Sequence, residues 1–238
     1  STIVKEGYSF FLTAKNISTE AYKLALKNPQ SIIHAYGVTI FVTIIGTVLS
    51  IIMTTMTGYV LSRPDFPWRN GVSFFFFFTT LFSGGLVPWY LLCTQYLNFN
   101  NHIYSLIIQG LFSVWNMIIA KTFMSGIPAA ITESAKIDGA SQMKIFWRIV
   151  VPISKPVFAT IALFLTFGYW NDWFQSALYI SDSKLVSLQA LLNNMMKNLE
   201  YIANNPSAGL SLQQYRNSMP SESVRMAIAI IIVIPIAC

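Results

Sequence analysis

Long apolar runs separated by short polar breaks dominate the pattern along the chain. Residues 38–61 (VTIFVTIIGTVLSIIMTTMTGYVL) and 72–97 (VSFFFFFTTLFSGGLVPWYLLCTQYL) each meet the length of a membrane span. A helix needs about 20 apolar residues to cross roughly 30 Å of hydrocarbon with every backbone group bonded internally. Residues 103–120 and 157–180 predict two more spans, and a fifth apolar run, MAIAIIIVIPIAC, begins near Met226 and is still apolar at residue 238. Between Arg69 and Lys121 there is no Asp, Glu, Lys or Arg. Residues 183–200 (SKLVSLQALLNNMMKNLE) place Leu185, Leu188, Leu192, Met195, Met196 and Leu199 at helical spacing, which predicts an amphipathic helix across the mouth of a bundle.

One charged stretch interrupts the apolar pattern, ITESAKIDGASQMKIFWRIVVPISKP at 131–156. Pro128 suits a first helical turn, where its missing N–H costs nothing, and residues 129–137 follow as a short helix. Ala129, Ala130, Ser134 and Ala135 keep that helix small enough for another backbone to approach closely. Glu133 falls near its start, where the helix dipole favours an anion. Gly139 supplies the residue best able to turn the chain at positive φ. Ser141 is a cap for a second helix over 142–151, with Ile145, Phe146, Ile149 and Val150 on one side and Lys144 and Arg148 four apart on another. Pro152 ends it and Pro156 opens the next span. The result is a rigid elbow, and these residues alone leave open whether it lies on anionic lipid or docks on a protein.

At 54% hydrophobic and 10% charged, the chain is excluded from the ordinary soluble class and reads as an all-α, polytopic membrane helix bundle. Helices alternate sides, so the 62–71 loop and the 121–156 hairpin share one face, opposite residues 1–30, 98–102 and 181–225. Arg63 and Arg69 fall within one ten-residue loop and the hairpin adds five more cations, so that face is taken as cytoplasmic. On the other face, Ser18 begins a short capped helix, and 203–222 is a polar loop of Asn, Ser, Gly and Pro. The net charge of +6 belongs to scattered loop residues without aromatic interleaving and argues against nucleic acid. Cys93 and Cys238 suggest neither a disulfide framework nor a metal site.

The second unusual stretch is GYWNDWFQ at 168–175, where Asp172 is the one charge within the four complete predicted spans. An intramembrane carboxylate is costly and marks a pathway or a polar contact. Tyr169, Trp170, Asn171, Asp172 and Trp173 form a candidate substrate pathway, because aromatic faces stack on sugar rings while amide and carboxylate oxygens bond hydroxyls. The competing reading is an aromatic belt at the outer interface. Gly84, Gly85 and Pro88 weaken the second span, the run Phe74–Phe78 suits lipid, and His34 and His102 read as interfacial. Ser83 has no placed base to make it a nucleophile, and no phosphate-cradling glycine loop with Lys and Ser/Thr is present.

Glu133, Ser134 and Ala135, then Asp138, Gly139 and Ala140, then Ile149, Val151 and Pro152 resemble the EAA, three residues, G, nine residues, I-x-L-P loop of bacterial ABC importer membrane subunits. This copy departs at Ser134 and Val151. The NPQSIIHAYGVTIFVT, LSRPDFPWRN, GYWNDWF and MPSESVRMA stretches extend the similarity over residues 7–238, toward carbohydrate permeases of the maltose-transporter type that serve oligosaccharides. The resemblance implies a type I importer permease in the bacterial cytoplasmic membrane, multi-pass, with residues 1–30 following a missing N-terminal helix, a permease domain over 31–238, a coupling loop at 128–156, an extracytoplasmic loop at 181–225 and a truncated last helix. It implies a second homologous permease subunit, two copies of a cytoplasmic ABC ATPase, an extracytoplasmic solute-binding protein, surrounding lipid and a carbohydrate substrate. The chain itself would be no enzyme and bind no cofactor, with ATP and Mg held by the ATPase. Glu133, Ser134, Ala135, Asp138, Gly139, Ala140, Ile149 and Pro152 would form the docking element. The alternative is an ion-coupled secondary transporter in which Asp172 takes up a proton.

Overall fold

The computed structural model describes residues 29–204. The helix expected after Ser18, most of the 203–222 loop and the apolar run from Met226 lie outside the described residues. Among the described residues the chain is helical, with no strand. It divides into two compact units, Thr39–Asn171 and, taken together, Ser1–Val38 with Asp172–Cys238.

Helix α1, Pro29–Ser62, has 34 residues and is about 51 Å long at 1.5 Å per residue. It is the one described helix that alone is long and apolar enough to cross a membrane. Its pattern is the reverse of a soluble helix. Thr39, Thr43, Thr47, Ser50 and Thr54 are buried while Ile40, Phe41, Ile44, Val48 and Met53 are exposed. Small hydroxyl side chains let neighbouring backbones approach, and the outward apolar face suits hydrocarbon.

The other three predicted spans are each broken. Residues 72–97 form α2 (Arg69–Leu81) and α3 (Leu86–Leu91, continued by a π-helical turn over Leu92–Tyr96). The two meet at 111°, because Phe82 is extended and Gly85 sits at φ +87°. Residues 103–120 form α4 (Tyr104–Ile108) and the start of α5 (Val114–Ser125). Ser113 restarts the chain there, its hydroxyl accepting the Asn116 N–H at 3.3 Å. The hairpin follows as α6 (Ala129–Ile137) and α7 (Gln142–Ile145), the latter prolonged by a π-helical turn at Phe146–Val150 and by Val151–Ile153. Residues 157–180 form α8 (Lys155–Trp170) and α9 (Phe174–Tyr179). Counting each bent pair as one crossing gives up to four spans.

The amphipathic helix is α10, Leu188–Asn204. It starts later than the 183–200 pattern predicts because Asp182 captures the chain first. The Asp182 carboxylate accepts the Lys184 N–H and its carbonyl accepts the Leu185 N–H, both at 3.0 Å. Leu185 therefore lies in a turn, while Leu188 and Leu192 are buried.

Within the 39–171 unit, α1, α4 and α8 are tied through one side chain. The Tyr169 hydroxyl donates to the Ile107 carbonyl at 2.9 Å and lies 3.0 Å from the Ser50 hydroxyl. The ring fills space left open by two glycines: a Cβ at Gly46 or Gly110 would stand 2.5 Å or 2.8 Å from its atoms. Gly46→Val should therefore cost about 1–3 kcal/mol by overpacking, and Tyr169→Phe about 0.5–1.5 kcal/mol by removing one of the two bonds at the Ile107 carbonyl, which keeps the Gly110 N–H. Thermal unfolding of the purified membrane assembly measures both. Unchanged melting with lost solute affinity would instead make Tyr169 a solute contact.

Candidate functional site

The hairpin bend is built from backbone hydrogen bonds that the sequence dictates. Pro128 stands just before α6, at φ −55° and ψ 129°, one position earlier than the first-turn placement the sequence predicts. Extended ψ suits a residue before the helix, and its ring removes no hydrogen bond there. At the other end, Gly139 adopts φ +75°. The Gly139 N–H donates to the Lys136 carbonyl at 3.0 Å and the Ala140 N–H to the Ala135 carbonyl at 2.9 Å. This pair of bonds is the Schellman termination, which asks for glycine at the left-handed position and an apolar contact across it. Ala135 is buried in the core and Ala140 packs against the same cluster. Ser141 then caps α7, its hydroxyl accepting the Lys144 N–H at 3.4 Å.

Both arms swing away from the helices they join. The α5–α6 pair is bent by 75°, and the second arm through Ile153 meets α8 at 83°. The break falls at Ser154 rather than at Pro152, which sits inside the Val151–Ile153 turn. Proline is tolerated in a first turn, so Pro152 does not end the arm. Ile145, Phe146 and Val150 are buried against Tyr59, Ala120, Met124, Val157, Ile161 and Leu165, with Ile149 and Val151 partly buried beside them. The outer side is different. Glu133, Ser134, Asp138 and Gly139 are exposed, and among the described residues Glu133 has no ion-pair partner. The Ser134 hydroxyl donates to the Ala130 carbonyl at 2.7 Å. Its donor is used within its own helix, so a serine here presents nearly the small surface of the alanine it replaces.

A polar network ties the end of α1 to both arms. Arg63 donates to the Tyr59 hydroxyl and to Asp65, each at 2.7 Å, and to the Gln142 side-chain carbonyl. Lys136 donates to the same Asp65 oxygen at 2.7 Å. These contacts place the 62–68 loop and the hairpin on one side of the unit, as alternation of spans requires. The bonds from Arg63, then those from Lys136, hold the Asp65 carboxyl well below the usual carboxylate range. Beside the network lies a cavity of about 810 Å³ lined by Tyr59, Arg63, Asp65, Thr132, Glu133 and Lys136 among others.

The 169–173 stretch serves several roles. Tyr169 and Trp170 are buried, whereas Asn171 and Trp173 are exposed. Asp172 lies in the break between α8 and α9 and not inside a continuous span. Its carboxylate accepts the N–H groups of Phe174 and Gln175 at 3.1 and 3.2 Å, the local capping that draws Asp out of helices. Its carbonyl accepts the Ser187 hydroxyl at 3.2 Å. Lys197 stands 5.5 Å above the Trp173 ring.

Residues 56–238 match the family model of the binding-protein-dependent transport system inner membrane component. The chain belongs to this family. Among its relatives are Protein LplC of Bacillus subtilis (strain 168), 37% identical across 96% of this chain and 75% of that one, and the polygalacturonan/rhamnogalacturonan transport system permease protein YtcP of the same organism, 33% identical across 95% and 77%. A solved structure of a bacterial ABC transporter involved in the import of the acidic polysaccharide alginate superposes with a TM-score of 0.84 at 27% identity, over 99% of this chain and 81% of that chain. The protein is a type I ABC importer permease by fold, an inner membrane component of a transport system.

For this permease the hairpin bend residues were legible because caps are local. The network was not. Asp65 and Lys136 are 71 residues apart, and the one available signal was an acidic residue standing alone in a basic loop. Gly139→Ala should destabilise the hairpin by about 1–2 kcal/mol through backbone strain alone, since no atom crowds a Cβ there; melting of the assembly checks it. Asp65→Asn should lower the melting temperature at pH 7. Because the folded carboxyl titrates below its unfolded value, the wild-type advantage is full above about pH 4 and fades as pH falls beneath it. A gap that closes already at pH 6 would contradict the network.

Proposed function

We propose that this chain is the multi-pass permease half of an ATP-driven, binding-protein-dependent importer of oligosaccharides, with uronate-bearing chains the favoured class. The observation that carries the reading is the hairpin: a small-residue arm with an unpaired Glu133, held at a steep angle to its bundle by a buried second arm. Family membership favours a protein partner over lipid at its exposed outer face. Glu133, Ser134, Asp138 and Gly139 form that face, and Ala135, Ala140, Ile149 and Pro152 hold its shape. The occupant is a cytoplasmic ATPase, two copies of which serve this chain and a second homologous permease subunit. ATP and Mg bind in the ATPase, so the chain is no enzyme and carries no cofactor. An extracytoplasmic binding protein delivers the solute.

Closure of the ATPases pushes on the hairpin, and Ile145, Phe146 and Val150 pass that motion to α1, α5 and α8. Solute passes near Tyr169–Trp173, where exposed Asn171 and Trp173 supply an amide and an aromatic face, and Lys197 beside Trp173 suits a carboxylated sugar. Polygalacturonan, rhamnogalacturonan and alginate, named for two of the relatives, support the acidic class. The backbone bonds at the Asp172 carboxylate speak for a capping role, and family membership disfavours a proton-coupled carrier.

Co-expression of the full-length chain with its partner permease and ATPase tests the docking. The ATPase should copurify with the wild-type assembly and be lost with Glu133→Ala or Gly139→Asp while both permeases stay together. Full retention with both variants would remove the hairpin from the interface.

A further inference from the structure

The buried face of the second arm fixes where the hairpin is attached, but not the angle between its two arms. Along the chain that angle is set between Asp138 and Ser141, where Gly139 is left-handed with open space around it and Ser141 is extended, and locally it is held by the Schellman bonds and the Ala135–Ala140 contact. Side-chain bonds also span it. Lys136 lies on α6 just before the bend, Gln142 on α7 just after it, and both reach the same short loop beyond α1. Lys136 bonds Asp65 at 2.7 Å, Gln142 accepts from Arg63, and Arg63 and Asp65 are themselves paired at 2.7 Å. The guanidinium lies over the Tyr59 ring, 5.5 Å from its centroid, and that ring packs at a tilt against Phe146 of the buried arm, centroids 5.2 Å apart. The loop cannot drift from α1, because Ser62 donates to the Tyr59 carbonyl at 2.7 Å and Pro64 stiffens the chain between the two charged residues.

We propose that Arg63 and Asp65 clamp the two arms of the hairpin to the end of α1, making them positioning residues that transmit ATPase motion into the first helix. The inference rests on the docking described under the proposed function and adds a second route for the motion. The apolar anchor carries thrust to the bundle, and the clamp adds to the Schellman bonds and the buried Ala135 in stopping the first arm from bending at Gly139 instead of moving α1. Its energy is small: exposed pairs of this kind contribute about 0–1 kcal/mol each, against about 1.5–3 kcal/mol for each buried apolar side chain of the anchor. Loss of the clamp therefore leaves the fold and the docked ATPase in place and lowers the efficiency of transmission.

The test uses the purified complete assembly, both permeases and the ATPase, in lipid, with ATP hydrolysis measured with and without the solute-binding protein. Variants are Asp65→Asn, Lys136→Met, the pair together, and Asp65→Glu. Each single neutral variant is expected to keep the ATPase bound and KM for ATP unchanged, and to reduce binding-protein stimulation about two- to fivefold. The double variant should lose no more than either single one, since both remove the same link, and Asp65→Glu should restore most of the stimulation. Stimulation unchanged in the single variants, or losses that multiply in the double variant, would overturn the clamp while leaving the docking intact. Wild-type assembly that holds no ATPase would overturn both.

Discussion

Ile145, Phe146 and Val150 are buried among side chains from α1, α5 and α8, and this contact makes a surface hairpin part of the bundle. Without it the two arms would be a loop between broken spans, free to move without consequence. Burial of three apolar side chains is worth several kcal/mol, far beyond what the exposed charges around the bend contribute. Ile145, Phe146 and Val150 face inward while Met143, Trp147 and Ile153 of the same arm are exposed, and the small Ala120 and Ala135 belong to the same buried cluster.

Around that anchor the division of labour follows from the strength and direction of each interaction. Apolar contact is strong but not directional, so it fixes position and not angle. Hydrogen bonds and ion pairs are weak in net energy but directional, and they occur where direction matters: the Schellman bonds at Gly139, the Ser141 cap, and the Arg63–Asp65 bridge to both arms. Tyr169 plays the comparable part deeper in the unit, its hydroxyl tying three helices while two glycines make room for the ring.

The helical character, the apolar spans and the elbow were legible because hydropathy, caps and glycine act over a few residues. Continuity of the spans was not. An apolar run of 26 residues over 72–97 reads as one crossing, yet an extended Phe82 and Gly85 at positive φ turn it, since hydropathy reports what a segment is soluble in and not whether its hydrogen-bond ladder is unbroken. Asp172 reads as a costly buried charge when its span is taken as continuous. In the broken chain it finds two N–H partners within three residues. Gln142 and Arg63 gave no local sign of their pairing, because nothing nearby in sequence depends on it.

The central claim is that motion enters this permease from an ATPase through the hairpin. Uptake of trigalacturonate should be measured in proteoliposomes holding the full assembly and its binding protein, with ATP on the ATPase side and the proton gradient collapsed by an uncoupler. Uptake that persists under these conditions and stops when the ATPase is omitted is the predicted result. Uptake of any solute by this chain that follows the proton gradient and ignores ATP would contradict the account.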